Sequence, residues 1–188
     1  MSKEFFDSVA DGWDSRCNHD EKKIEHIVRF LDIEKGDKII DVACGTGVLF
    51  KYLLKYKPGK ILAIDYSPRM IENAKKKANN GIIELINDDF FNLMLSDYDK
   101  LIAYSAYPHF EDKKKLAKHI SSLLKKGGRF MICHSQRRQE INNLHKKAGV
   151  KSAEIQDAKT EAGHFKEYFK IDILTDDSEM FILSGIKL

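Results

Sequence analysis

The chain has 188 residues, a formal net charge of +3 and three cysteines. That length suits a single domain able to bury a core without disulfides, and the near-balanced charge gives no strong nucleic-acid signal. No apolar run reaches membrane-spanning length, the opening Met1-Ser2-Lys3-Glu4 lacks a signal-peptide core, and Cys17, Cys44 and Cys133 form no metal-finger spacing, so a cytoplasmic protein with free thiols is expected.

In chain order, Ile24, Ile27, Val28 and Leu31 recur at helical spacing. An apolar strand follows over 38–42, ending in Asp41 and Val42. A small-residue loop, Ala43-Cys44-Gly45-Thr46-Gly47, then leads to a helix whose inward residues are Val48, Tyr52, Leu53 and Tyr56, closed by Pro58-Gly59. Small side chains in such a turn let a ligand approach the backbone, and exposed amides at a helix start favour electron-rich groups. A dinucleotide fold asks for Gly-x-Gly-x-x-Gly, but the third position here is Phe50, whose ring would obstruct close helix–strand packing.

A second strand runs from Lys60 to Asp65, before a helix capped by Ser67 with Pro68 in its first turn. Ile82–Ile86 reads as a third strand and Leu101–Tyr104 as a fourth. A helix carrying Leu116, Ile120, Leu123 and Leu124 is closed by Gly127-Gly128, before a fifth strand from Arg129 to His134 and a helix over 136–147. Residues 165–174 and 179–187 are β-rich and joined by Thr175-Asp176-Asp177-Ser178, a hairpin signal. The expected fold is α/β and Rossmann-like. Its seven-stranded sheet is mostly parallel with a C-terminal antiparallel hairpin, and helices cover both faces.

The stretch Asp41-Val42-Ala43-Cys44-Gly45-Thr46-Gly47 resembles motif I of the class I S-adenosylmethionine (SAM) methyltransferases, with Ala43 where Gly is more usual. That change is mild if the local φ stays negative. Asp65-Tyr66-Ser67-Pro68-Arg69-Met70 resembles the family's second motif, and Asp89 with Leu93 its Asp-x-x-x-Leu motif. Tyr98-Asp99-Lys100-Leu101 through His109-Phe110 and the Lys125–Arg129 turn are similar to later family segments. Phe5 to Asp14 resembles the Asp-x-x-Ala-x-x-(Trp/Tyr)-Asp opening of ubiquinone/menaquinone-type methyltransferases.

The resemblance implies a single SAM-binding domain over 1–188, with 1–35 as a helical cap or lid. It implies SAM as cofactor and S-adenosylhomocysteine as product. Asp41 would engage the methionine amino group, while Ala43, Cys44, Gly45 and Gly47 clear its way. Asp65 would hold the ribose, and Tyr66 and Met70 would lie near the adenine. Asp89, with Asp88 as a one-residue rival, would accept from the adenine amino group, and the Phe90 amide would donate to a ring nitrogen. Tyr104 belongs to the same cofactor set. Trp13 and Phe5 read as part of the lid, with a core role equally open for Trp13.

Acceptor residues should sit at the carboxyl ends of strands four and five. Tyr104, Ser105, Tyr107, His109, His134 and Ser135 lie there, and Arg138, Asn142 and His145 share one helix face. His109, His134 and His145 are expected to converge on an acceptor pocket with Tyr104 and Arg138, one histidine acting as base. A sharper form has them bind metal, but their spacing matches no standard motif and none is expected. The chain lacks the Asp/Asn-Pro-Pro-aromatic turn of amino-methylating nucleic-acid enzymes, reading Ser105-Ala106-Tyr107-Pro108 instead. A small-molecule acceptor is therefore expected. A non-catalytic SAM- or nucleotide-binding module is the alternative.

Overall fold

The structure is a computed structural model and describes residues 3–17, 20–79, 81–147 and 152–188. Seven strands form one sheet: β1 (Lys38–Val42), β2 (Lys60–Asp65), β3 (Ile83–Asn87), β4 (Tyr98–Tyr104), β5 (Leu124–His134), β6 (Phe169–Asp176) and β7 (Phe181–Lys187). Their spatial order is β3-β2-β1-β4-β5-β7-β6. The first five are parallel, and β7 runs antiparallel between β5 and β6. The expected mixed sheet is therefore present, and the ends of β1 and β4 meet at the point where strand order reverses.

Alternation along each strand divides the core into two layers. Ile39, Ile61, Ile102 and Met131 face α3 (Glu21–Arg29) and the short α4 (Phe50–Leu53). Ile24, Ile27, Val28 and Leu31 are all buried, as their spacing predicts. On the same face Ala63 meets Ile71 and Ala74 of α5 (Pro68–Lys75), whose N-cap Ser67 accepts from the Met70 amide. Ile40, Leu62, Leu101 and Phe130 face the other way, onto α6 (Lys113–Leu123), α7 (Arg138–Lys147) and α8 (Ala158–Ala162). Each such aliphatic side chain contributes about 1.5–3 kcal/mol by leaving water.

The glycine pair does not close α6. The helix stops at Leu123, and Leu124 already pairs with Tyr98 on β4. Gly127-Gly128 lie inside β5 where the register slips, before Arg129 pairs with Lys100. A side chain on Gly128 would meet the Asp99 carbonyl at 3.0 Å, so the slip needs glycine there. At the far edge, Arg129 crosses β7 to hold Asp172 of β6 with two bonds of 2.8 and 2.7 Å and donates to Ser184 at 3.1 Å. This fork fixes the hairpin against the parallel sheet.

Candidate active site

The β1–α4 loop is tightly wound. Ala43, Gly45 and Gly47 have φ of 53°, 55° and 81°. The condition for a mild Ala43 is therefore not met, because this alanine sits in the left-handed region. Replacement by Gly is expected to raise the denaturation midpoint, stabilising by about 0.5–1 kcal/mol, since strain relief outweighs the added freedom of the unfolded chain. An unchanged or lowered midpoint in chemical denaturation would contradict this.

Three amides of the loop are not exposed donors as expected. Cys44 N donates to Ile64 O, Gly47 N to Cys44 O, and Gly45 N to Asp65 Oδ2 at 2.8 Å. The helix that follows has four residues, too short to offer its start as a binding site. A ligand would instead meet bare Cα surface. A side chain built on Gly45 would touch nothing within 4 Å.

Two acids flank that surface. Asp41 is wholly buried, and its Oδ2 has no hydrogen-bond partner. Burial, then the neighbouring Asp65, push its carboxyl well above the usual range. Asp65 accepts from Gly45 N and from Ser67 N at 2.9 Å, yet burial outweighs both bonds and raises its carboxyl too. An enclosed unpartnered carboxyl beside an open glycine suits a ligand that brings a cationic donor, as the methionine end of SAM does.

Tyr66 is exposed, and its carbonyl accepts from Asn87 Nδ2 at 3.0 Å. Asp88 and Asp89 are both exposed. Asp88 Oδ1 accepts from Asp89 N and Asn92 Nδ2, and Asp89 Oδ1 accepts from Phe91 N. Phe90 and Met70 are buried, so Met70 backs the site rather than presenting an open face.

The N-terminal segment is strapped across this wall by α1 (Lys3–Val9) and α2 (Trp13–Arg16). Ser67 Oγ donates to Asp7 at 2.5 Å, Asn73 to the Ala10 carbonyl at 3.0 Å, and Thr46 Oγ1 and Lys77 Nζ to Asp14. Trp13 packs edge-on to Phe6. Each position of the Asp7-x-x-Ala10-x-x-Trp13-Asp14 pattern thus has a contact. These contacts were not readable from the motif alone. Positions 1–2 and 18–19 of the expected cap lie outside the described residues.

Beyond β4 and β5 the histidines gather. His109 and His145 have ring centroids 5.0 Å apart, and Phe6 lies edge-on to His109 at 5.5 Å. His134, fully enclosed at the end of β5, faces Phe181. Burial first, then charge from its neighbours, brings His109 and His134 each down to about 3. His109 Nδ1, His134 Nε2 and His145 Nδ1 are buried without hydrogen-bond partners. Among the described residues no group of three His, Cys, Asp or Glu side chains is set to hold a metal ion.

Tyr104 and Arg138 do not join this cluster. Tyr104 packs in the α3–α4 layer, on the face opposite His134's neighbour Phe181, and shares a 2.7 Å hydrogen bond with Ser135. Its phenol is pushed up to about 12 by burial. Arg138 turns to Asp176 at 3.0 Å, and Asn142 brackets the backbone of Ile155. The helix face read as one site therefore splits, with only His145 reaching the histidines. Sequence reading named Tyr107 but missed the two buried partners it holds beside them, Lys113 and Glu161. Lys113 Nζ donates to the Tyr107 carbonyl at 2.7 Å and lies over its ring, whose hydroxyl donates to Glu161 at 2.5 Å.

Residues 33–177 match the family model described as "Methyltransferase domain". A malonyl-[acyl-carrier protein] O-methyltransferase of Acetivibrio thermocellus is 30% identical over 127 residues, covering 65% of this chain and 45% of that protein. Ribosomal RNA small subunit methyltransferase A of Mycoplasma mycoides is 30% identical over 136 residues, covering 64% and 51%. The chain spans about half the length of these curated relatives. Among solved structures, a chain of the Haloferax volcanii complex between the Trm112 methyltransferase activator and a methyltransferase superposes with a TM-score of 0.82 at 19% identity, covering 97% of each chain. The relatives differ in acceptor, so the ubiquinone/menaquinone subtype is not singled out.

Proposed function

The chain belongs to the class I SAM-dependent methyltransferases, and from that membership we propose that it is an active enzyme that methylates a small molecule. One observation carries the reading. Among the described residues, the buried side-chain nitrogen and oxygen atoms without a hydrogen-bond partner are Asp41 Oδ2, His109 Nδ1, His134 Nε2 and His145 Nδ1. On this reading Asp41 would stand at the methionine end of the cofactor site and the histidines on the acceptor side. Unpartnered buried polar atoms cost stability, about 1–3 kcal/mol each, unless a ligand engages them.

When bound, SAM supplies a methyl group on a positively charged sulfur. The protein's residues have the remaining tasks. Asp41 would accept from the cofactor's amino group, and Gly45 would leave room for its chain. Asp65 would take the ribose hydroxyls with its remaining lone pairs, and Asp89 with the Phe90 amide would meet the adenine. The segment over 3–17, as part of the cap spanning 1–35, would exclude water and align donor with acceptor, which is most of what an in-line transfer requires. Phe6 supports this assignment, because it joins the cap to His109.

Calorimetric titration with SAM and S-adenosylhomocysteine tests the cofactor site. Both are expected to bind, and Asp65→Ala to weaken SAM by about 10–100-fold through lost hydrogen bonds to charge. Failure of the unmodified protein to bind either compound would overturn the proposal. An RNA acceptor is the reading raised by the Mycoplasma relative. It predicts salt-dependent binding to a ribosomal RNA fragment, whereas the enclosed histidine side of the site favours a small molecule.

A further inference from the structure

The histidine cluster restricts the chemistry of the acceptor, an inference that rests on the methyltransferase reading above. Its three imidazoles come from separate elements: the turn after β4, the end of β5 and α7. Each offers a ring nitrogen that no protein group satisfies. Their surroundings are aromatic, with Phe6 beside His109 and Phe181 beside His134. The charge bearing on His109 and His134 from nearby side chains is positive. The Lys113 ammonium is felt by both, and no carboxylate is among the charges that shift either one. Glu161, an acid buried in that layer, is occupied by Tyr107 Oη and Gln156 N. Asp176 is occupied by Arg138.

A neutral imidazole carries one N–H donor and one acceptor nitrogen. Three of them in a positive, water-poor site can aim N–H groups at one negatively charged oxygen, forming charge-assisted hydrogen bonds. A protonated amine finds no counter-charge there. The cluster is also a poor base. Its burial keeps His109 and His134 from holding a proton until about pH 3, and Tyr104 is pushed up to about 12. An acceptor hydroxyl of ordinary acidity could not be deprotonated by such groups. A carboxylate needs no base, because it is already ionised at neutral pH.

We propose that His109, His134 and His145 form an oxyanion subsite and that the acceptor is a small carboxylate, methylated on oxygen to a methyl ester. The carboxylate oxygen attacks the methyl carbon. A C–O bond forms as the C–S bond breaks, and the bonding pair goes to sulfur. Anion and sulfonium become neutral ester and neutral thioether, and no proton moves. The ester no longer carries the charge that the imidazoles hold, so product release follows from the same chemistry.

The test is a proton NMR titration of the imidazole signals in the full chain saturated with S-adenosylhomocysteine. The probes are acetate, hexanoate and benzoate, with hexanol and hexylamine as uncharged and cationic controls. At least one carboxylate is expected to shift the His109, His134 and His145 signals, while the controls leave them unmoved. His145→Gln and His134→Phe should weaken that carboxylate by about tenfold or more, the share of one charge-assisted hydrogen bond, with S-adenosylhomocysteine affinity unchanged. The half-buried His145 keeps the test open if the His134 variant fails to fold. The idea is overturned if no carboxylate shifts these signals, if hexanol or hexylamine does so equally, or if zinc binds the trio in place of the acids. Loss of S-adenosylhomocysteine binding by the unmodified chain would instead defeat the cofactor reading.

Discussion

Asp41→Asn is expected to make the unliganded protein more stable at neutral pH and to weaken SAM binding by about 10–100-fold, the loss of one hydrogen bond to a charged group. Both effects have one cause. The Asp41 carboxyl is wholly buried, its Oδ2 is unpartnered, and Asp65 adds like charge. Its folded-state pKa is therefore raised above the unfolded value of about 3.9. The sign follows from linkage. Stability is fully present below the unfolded pKa and is lost as pH rises through the folded one, so at neutral pH the group penalises the fold, whether by burying its charge or by taking up a proton on folding. The amide cannot ionise and so removes the charge part of that penalty, a gain of about 1–2 kcal/mol that its own unpartnered polar atoms limit. The variant and the parent should converge in acid. Denaturant midpoints across pH and calorimetry with SAM check the two halves. A variant that binds SAM normally would remove Asp41 from the site. A variant that is less stable at neutral pH would show that the carboxyl has a partner in the folded state.

Residues near one another in sequence were the most legible. The bounds of β1 and β2 and the Ser67-Pro68 start of α5 follow from apolar runs and capping chemistry, which act over a few residues. The β6–β7 hairpin was readable for the same reason, whereas the five-residue α8 carries no periodic signal long enough to detect. What failed depended on distant partners. Whether Ala43 keeps φ negative is decided by how the loop reaches Asp65 through Gly45, 20 residues on. Gly127-Gly128 look like a helix stop until β4 is known to take Leu124. At the site, the histidines could be named from their places at strand ends, but Arg138 could not be separated from them. Its partner Asp176 lies 38 residues away, across the hairpin. A lysine run such as 113–115 belongs by composition on a solvated helix face, yet Lys113 is buried against Tyr107.

Gly47→Ala is expected to destabilise the protein by about 2–5 kcal/mol, from left-handed strain of about 1–2 kcal/mol and overpacking of about 1–3 kcal/mol. For a chain of this size that lowers the melting temperature by about 4–20 °C. The reason lies in the residue that excluded a dinucleotide fold. The Phe50 ring packs onto the Gly47 backbone, so a side chain on Gly47 would sit 2.4 Å from Phe50 Cε2 and 2.7 Å from Cδ2. Phe50 is itself buried with Cys44, Ala63, Ile71 and Ala74, and so has little freedom to retreat. The φ of 81° adds strain independently of that clash. Gly45 provides the contrast. With φ of 55° and nothing within 4 Å of a built side chain, Gly45→Ala should cost only about 1–2 kcal/mol of stability but fill the space that the cofactor needs. Thermal melts and SAM titrations of both variants separate the roles, with Gly47 read mainly in stability and Gly45 mainly in affinity. Adding Phe50→Leu to Gly47→Ala relieves the clash and leaves the backbone strain. The double variant should therefore be more stable than the sum of the two single losses predicts. Strict additivity would mean that the ring does not impose glycine at position 47.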